Sequence, residues 1–207
     1  MPRVGMKPDP AGTIPESDEA AEEAALVRRI VAGEGHRYSV LVERYQRRLY
    51  WSCLRLVGDP DEAEDVVQEA FVRAYEHLRD FDPAYRFYTW VYRIARNRCL
   101  NVLRRRRVWG LVTLSDPERA PALPAADRSD RPAEDRELAR ALVECRANLP
   151  ADQREVFDLR HADGLSYREI AAAVGAPEGT VMSRLARARE KMRACLESKG
   201  VTGPTSA

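Results

Sequence analysis

The sequence predicts an all-α protein, and two observations carry that prediction. Hydrophobic residues recur at helical spacing along the chain, as in LVERYQRRLYWSCLRLVG (41–58) and ELARALVECRANLP (137–150). Stretches with the alternating pattern of a β-strand are hard to find. With 207 residues and 44% hydrophobic content, the chain can form one domain or two small ones.

A break in composition divides the chain into two helical domains. Residues 116–135, DPERAPALPAADRSDRPAED, contain four prolines and no aromatic residue, which is typical of a mobile linker. We therefore predict a first domain at 22–107, a flexible linker at 108–133 and a second domain at 134–197. Residues 1–21 are predicted to be a disordered tail and residues 198–207 a short polar one.

An acidic helix is predicted after Gly58 in the first domain. Asp59 suits the N-cap, Pro60 the first helical position and Glu62 the third, which together indicate a helix start. Further along, Asp65, Gln68 and Glu69 group at i, i+3 and i+4 spacing. Such a polar patch on a rigid helix can bind a basic protein surface.

The same carboxylates also suggest a metal or nuclease site, but nothing in the sequence complements them. The three histidines, His36, His77 and His161, do not stand at metal-ligand spacing to the acids. We therefore expect no catalytic residue, no metal and no cofactor, and a protein that is not an enzyme.

The segment from Ala84 to Arg107 is strongly basic and interleaved with aromatic residues. It holds eight arginines and no acidic residue, whereas the whole chain has a net charge of only +1. Basic residues that follow phosphates, next to rings on which bases stack, suit melted DNA. The predicted helix has two faces. One face is predicted to lie in the core and carries Phe87, Trp90, Val91 and Ile94. The candidate DNA contacts lie off that face: Tyr88, Tyr92, Arg93 and Arg96. The run from Arg104 to Arg107 is either a nonspecific phosphate clamp or the solvated end of a helix.

The second domain contains a predicted helix-turn-helix between Ser166 and Arg193. Ser166 and Glu169 form a capping box, and the short helix that they open buries Ile170 and Val174. That helix is predicted to stop near Gly175, and Pro177 begins the next one. An apolar stripe then follows at i, i+4, i+7 and i+11: Val181, Leu185, Ala188 and Met192.

The opposite face of this second helix is predicted to enter the major groove of duplex DNA. It carries Met182, Ser183, Ala186, Arg187 and Glu190, and arginine can bind guanine through two hydrogen bonds there. Thr180, Arg184 and Arg189 flank the face and suit phosphate contacts. The alternative is a solvated helical hairpin with ordinary surface arginines.

The cysteines and the hydrophobic runs bear on the compartment. Cys53, Cys99, Cys145 and Cys195 are widely separated and form no CxxC pair, which argues against zinc and for a reducing cytoplasm in which each packs as a small buried residue. No run reaches the length of a membrane span, and the N-terminus lacks the apolar core of a signal peptide. We therefore expect a cytoplasmic protein without membrane insertion.

Four segments follow one another along the chain: DPDEAEDVVQEAF, FYTWVYRIARN, a proline-rich linker and LPADQREVFDLRHADGLSYREIAAAVGAPEGTVMSRLARARE. In this order they resemble a bacterial RNA polymerase sigma factor of the extracytoplasmic-function group. The resemblance covers about Leu26 to Leu196. It implies that the first domain is sigma region 2 and the second region 4. It further implies three partners: core RNA polymerase, promoter DNA and an anti-sigma factor.

The resemblance also implies roles for particular residues. Asp65, Gln68 and Glu69 would bind the clamp helices of the largest polymerase subunit. Residues from Asp82 to Asn101, among them Tyr88, Tyr92, Arg93, Arg96 and Asn97, would recognise the minus-10 element and help to open it. Thr180, Met182, Ser183, Arg184 and Arg187 would contact the minus-35 duplex, and another surface of region 4 the polymerase flap.

The chain departs from the family pattern at Met182, where arginine or lysine is common, and at Ala186, where some members carry a larger side chain. Direct readout would then depend on Ser183, Arg187 and duplex shape. Two other classes of protein stay open: a freestanding helix-turn-helix regulator that binds DNA without polymerase, and a nucleic-acid-processing enzyme that uses the carboxylates between Asp61 and Glu69.

Overall fold

The computed structural model describes residues 16–108 and 133–201, and every long element in these two segments is an α-helix. Side chains are described for residues 20–108 and 137–201. The helices are α1 (Glu16–Val31), α2 (Tyr38–Val57), α3 (Pro60–Glu76), α4 (Phe87–Val108), α5 (Ala133–Ala147), α6 (Ala151–His161), α7 (Tyr167–Val174) and α8 (Glu178–Ser198). The all-α prediction is confirmed, and most of the predicted linker, 109–132, lies outside the described residues.

The helix ends follow the local signals in the sequence. Gly58 ends α2 in the left-handed conformation at φ 75°, and the Asp59 side chain then accepts a hydrogen bond from the Glu62 amide at 3.1 Å to start α3. In the second segment Ser166 and Glu169 form the predicted capping box of α7. Gly175, at φ 68°, ends α7, and Pro177 caps α8.

The first segment forms one helical unit, which we call the first unit (16–108). Helices α2, α3 and α4 pack around buried side chains that include Leu41, Leu49, Val67 and Phe87. Helix α1 is attached through Glu23, which is only 1% exposed and accepts hydrogen bonds from the Tyr45 hydroxyl and from the Phe87 amide, the latter at 3.0 Å.

The start of α1 corrects one sequence-based expectation. The tail 1–21 was expected to be disordered, yet α1 begins at Glu16. The prediction is therefore wrong for 16–21, while 1–15 lie outside the described residues. The reason is tertiary: Glu23, Val27 and Ile30 are buried against the first unit, and the helix that presents them extends upstream.

The second segment, which we call the second unit (133–201), contains a disulfide that the sequence did not predict. Cys145 on α5 is bonded to Cys195 on α8, and both helices pack with Leu149, Ala188 and Met192 in a small cluster. The expectation that all four cysteines are reduced is therefore wrong for this pair. It is confirmed for Cys53 and Cys99, which are free and buried.

The two units pack against each other rather than standing apart. One cluster of buried residues runs from the first unit into Val156, Leu159, Leu165 and Ile170 of the second, and α4 lies against α7. None of the helices in the described part of the chain is long and apolar enough to cross a membrane.

Candidate nucleic-acid and polymerase interfaces

Helix α8 has the two faces that the sequence predicts. Val181, Leu185, Ala188 and Met192 are each at most 5% exposed. Met182, Ser183, Ala186, Arg187 and Glu190 all lie on the exposed side. Because the apolar stripe fixes the rotation of the helix, this side is held outward as a continuous surface.

The flanking residues of α8 already have partners within the second unit. Arg184 forms an ion pair with Asp152 of α6, with 3.1 Å between Nε and Oδ2. The Ser183 hydroxyl donates to the Thr180 carbonyl oxygen at 2.9 Å, and Thr180 is half-buried. A contact from Arg184 to phosphate therefore competes with Asp152, whereas Arg187 is exposed.

Helix α4 corrects the predicted division between core and DNA-facing residues. Tyr88 and Tyr92, expected to lie off the core face, are 0% and 2% exposed. Trp90 and Ile94, expected in the core, are half-buried and pack at its edge, while Phe87 and Val91 are buried as predicted. The expectation failed because Tyr88 packs against α2 and Tyr92 contacts α6 of the second unit, and helical periodicity in one segment does not show either contact.

The buried tyrosines are held by polar partners. The Tyr88 hydroxyl lies 2.9 Å from Ser52 Oγ, and the Arg48 guanidinium lies 3.7 Å from the centre of the Tyr88 ring. The Tyr92 hydroxyl donates to Glu155 of α6 at 3.0 Å. Burial raises the pKa of both hydroxyls above the ordinary value, so both remain protonated.

The remaining minus-10 candidates on α4 differ in exposure. Arg93 and Asn97 are exposed. Arg96 is half-buried and donates two hydrogen bonds to Glu155, at 2.5 Å from Nε and 3.1 Å from Nη2. The structure thus brings Tyr92 and Arg96 together on one carboxylate of the second unit.

The four arginines at the end of α4, Arg104 to Arg107, also differ in exposure. Arg104, Arg105 and Arg107 are exposed, as either sequence-based alternative requires. Arg106 instead donates to the Val57 carbonyl oxygen at 2.8 Å and pairs with Glu62 at 2.6 Å. Arg106 therefore fastens the end of α4 to the α2–α3 turn and is not part of a phosphate clamp in this arrangement.

The acidic patch of α3 is exposed at two of its three predicted positions. Asp65 and Gln68 are exposed, and Gln68 donates to Glu64 at 3.4 Å. Glu69 accepts hydrogen bonds from Arg98 of α4 and from Arg73, the latter at 2.9 Å. Burial alone would raise the pKa of Glu69, but these hydrogen bonds outweigh it and hold the pKa below its usual value. Glu69 therefore also joins α3 to α4.

Comparison with known proteins identifies the family to which the chain belongs. The family model of Sigma-70 region 2 matches residues 41–108, and that of Sigma-70, region 4 matches residues 139–192. The chain is 37% identical over 184 residues to the RNA polymerase sigma-H factor of Pseudomonas aeruginosa, covering 85% of this chain and 94% of the relative. It is 38% identical over 178 residues to the ECF RNA polymerase sigma-E factor of Escherichia coli (strain K12), covering 83% and 93%. The chain belongs to the extracytoplasmic-function group of the sigma-70 family.

Solved structures agree with this assignment. CnrH, in its complex with the cytosolic domain of CnrY, is similar with a TM-score of 0.60 at 28% identity, over 85% of this chain and 97% of the other. The sigma factor RpoE of Bartonella quintana, in its complex with the anti-sigma factor NepR, has a TM-score of 0.61 at 26% identity, over 77% and 96%. This sigma factor is therefore a transcription initiation factor, in a family of regulatory proteins rather than enzymes.

In a sigma factor, the contacts between the two units join region 4 to region 2, and the sequence did not predict them. Glu155, Asp163 and Glu169 of the region 4 unit contact arginines of the region 2 unit. Glu169 was recognised only as a capping residue, and neither Glu155 nor Asp163 was singled out. An excess of acid in a domain predicted to bind DNA was the available signal: the sequence from Glu155 to Glu169 holds four carboxylates that are each engaged by an arginine.

Proposed function

We propose that this sigma factor binds core RNA polymerase and directs it to specific promoters by recognising the minus-35 duplex and the melted minus-10 strand. The observation that carries the proposal is the exposed face of α8, which presents Ser183 and Arg187 over a fully buried apolar stripe. Its width and basic edge suit the major groove. With Met182 46% exposed, part of the face is apolar and suits a thymine methyl group.

Minus-10 recognition is assigned to α4 of region 2. Arg93 and Asn97 are exposed at its surface, whereas Tyr92 and Arg96 are bound to Glu155 of the second unit and Tyr88 is buried. Rings and arginines together suit an unpaired strand because every base has a face on which a ring can stack. All five residues are proposed as minus-10 contacts.

Polymerase binding is assigned to α3, with Asp65 and Gln68 as its exposed centre. Glu69 contributes less directly because Arg98 and Arg73 already engage it. A rigid acidic helix face of this kind suits the clamp helices of the largest subunit, with a second contact from region 4 to the flap. The working division of the chain remains 22–107 for region 2 and 134–197 for region 4.

An anti-sigma factor is the proposed regulatory partner. CnrH and the Bartonella RpoE are each seen in a complex, with CnrY and with the anti-sigma factor NepR. Similarity to both over most of their length supports a partner of that class here. A cytoplasmic location follows from the proposed work with polymerase and promoter DNA.

The test is reconstitution with core RNA polymerase. The purified chain, added to bacterial core enzyme and bulk genomic DNA, is expected to form a stable complex and to start transcription at a limited set of sites. Alignment of those sites is expected to show two conserved elements at a fixed spacing. Sequence-specific DNA binding without core association would instead establish the freestanding regulator.

A further inference from the structure

The interface between the units is built from carboxylates of region 4 set on arginines of region 2. Glu155 holds Arg96 and the Tyr92 hydroxyl. Glu169 accepts from Arg86 Nε at 2.7 Å and from the Thr89 hydroxyl at 3.3 Å. All of these donors lie on α4 or at its start, in the segment that carries the candidate minus-10 contacts.

A third carboxylate covers the α2 side of the same surface. Asp163, whose side chain is 3% exposed, accepts from Arg55 Nη2 at 2.8 Å and from the Ser52 hydroxyl at 3.2 Å. Ser52 is in turn the partner of the Tyr88 hydroxyl. Asp163 is therefore linked through Ser52 to a tyrosine that the minus-10 assignment needs.

The fit is incomplete at Arg48, which also reaches this surface. Arg48 Nη2 donates to the Asp163 carbonyl oxygen, but its Nε lies 3.6 Å from Oδ1 of the same residue and is buried without a hydrogen-bond partner. A partly buried guanidinium whose Nε–H is buried and unsatisfied can gain a hydrogen bond to another anion. Region 4 therefore leaves one hydrogen-bond donor of this arginine surface, Arg48 Nε, without an acceptor.

Carboxylate and phosphate groups compete for the same arginine geometry. Both accept parallel hydrogen bonds from the planar guanidinium fork. Burying such pairs costs desolvation that offsets most of their mutual attraction, so the pairs themselves add little net free energy to an interface that apolar contacts also hold. A multiply charged strand is therefore a suitable competitor for region 4.

We propose that Arg48, Arg55, Arg86 and Arg96 form a phosphate-binding surface for single-stranded DNA, which Glu155, Asp163 and Glu169 of region 4 occupy in the closed chain. The inference rests on the proposed function, because it makes the closed chain unable to bind the melted strand until region 4 moves away. Opening would release Tyr92 and these arginines together. The α8 face stays exposed in the closed chain, so minus-35 binding does not require opening.

The test uses the full chain with the double substitution Glu155→Gln and Glu169→Gln. Glutamine keeps the side-chain length, and at position 169 it preserves the capping box. The matched control is Glu137→Gln with Glu144→Gln, which makes the same change of charge on exposed positions of α5. Glu144 pairs with Lys199 inside region 4 rather than with region 2.

Two quantities are measured at low salt: the radius of gyration by solution X-ray scattering, and the affinity for a fluorescein-labelled 20-nucleotide single strand of mixed sequence by anisotropy. We expect the interface variant to expand and to bind the strand about tenfold more tightly, because apparent affinity scales with the fraction of open chain. The control is expected to change neither by more than about twofold, the part due to added charge alone.

Either of two results would overturn the inference: equal gains in the interface and control variants, or expansion of the interface variant without a gain in strand binding. A further variant, the interface double substitution combined with Arg48→Gln and Arg86→Gln, is expected to lose the added affinity while remaining expanded. Retained affinity would show that these arginines do not hold phosphate. Transcription by the wild-type chain with core polymerase is scored separately, so failure of the sigma function and failure of the closed state are distinguished.

Discussion

Arg187 is the residue of the α8 face whose chemistry is least constrained by its surroundings. It is exposed and lies opposite the buried stripe, whereas its neighbour Arg184 is drawn towards Asp152. Because of this difference, Arg187 is the stronger candidate for a base contact, and Arg184 is the stronger candidate for a phosphate contact that positions the protein on DNA.

Arg187→Ala is expected to weaken promoter binding by holoenzyme by about 1–3 kcal/mol if the guanidinium binds a guanine. Binding of core polymerase should be unchanged. The measurement is a titration of holoenzyme on a promoter found by reconstitution. Arg193→Ala, about 9 Å further along the same helix, is the control and should have a smaller effect; equal promoter occupancy by the Arg187 variant would remove this residue from the interface.

Glu169 predicts a dependence of stability on pH. Burial opposes its ionisation, but hydrogen bonds from Arg86 and from the Ser166 amide outweigh burial and hold the pKa of Glu169 below its usual value. A lowered pKa in the folded state means that the carboxylate stabilises the fold above the unfolded pKa of about 4.3, and that this stabilisation is lost as pH falls through the folded pKa.

We therefore expect Glu169→Gln to flatten the fall in unfolding free energy below about pH 4.3 relative to the wild type. Urea unfolding at a series of pH values measures this slope. Glu137→Gln serves as the control because its carboxylate is exposed on α5. The same slope in Glu169→Gln and wild-type protein would contradict the assignment.

The sequence predicted these individual sites unevenly, for physical reasons. The capping box of Ser166 and Glu169 was predictable because both partners lie within one helical turn. The stripe from Val181 to Met192 was predictable because periodicity needs one helix only. The burial of Tyr88 and Tyr92 was not, since their partners Ser52 and Glu155 lie 36 and 63 positions away and the pairing depends on tertiary packing.

Among the elements, α5 depends most on a covalent constraint. It contributes few buried residues to the small cluster around Cys145 and Leu149, and the disulfide to Cys195 closes a loop across 50 positions. By the entropy of loop closure alone, such a bond stabilises its domain by about 4 kcal/mol. The bond was not predictable from the sequence, because no CxxC spacing or short framework points to it.

Reduction is therefore expected to lower the unfolding free energy of the region 4 unit by up to about 4 kcal/mol, and hydrogen exchange in α5 should accelerate. Thermal unfolding with and without a reductant measures the first effect. The variant Cys145→Ala with Cys195→Ala should be insensitive to the reductant. A wild-type chain that unfolds identically in both conditions would show that the bond does not stabilise the unit.

Helix α3 predicts a second effect at the scale of elements. Asp65→Lys with Gln68→Lys places positive charge on the exposed polymerase-facing patch while leaving the Glu69–Arg98 contact intact. Affinity for core polymerase should fall by at least about tenfold through repulsion at a basic partner surface. Glu76→Lys, an exposed acid near the end of the same helix, is the control, and undiminished co-purification of the double variant would reject α3 as the docking face.

For the whole molecule, the sequence predicted the all-α class and two helical units but not their association. Each unit has its own periodic pattern, whereas the interface combines scattered carboxylates with arginines from a distant segment. Local patterns carry no information about such pairing. The region between the units, 109–132, lies outside the described residues, so what the structure shows of their association is the set of contacts between the two units.

Cleavage between the units tests that association directly. With a protease site inserted within 116–135, the cut chain is expected to remain one particle at low salt, because buried side chains and ion pairs continue across the interface. Raising the salt should weaken the association, most at the pairs of Glu155 and Glu169, which are less buried than the pair of Asp163 with Arg55. Size-exclusion chromatography of cut protein measures both states. The variant Glu155→Gln with Glu169→Gln should separate at lower salt than the control variant Glu137→Gln with Glu144→Gln, and fragments that separate at low salt in the wild type would show that the units do not hold each other.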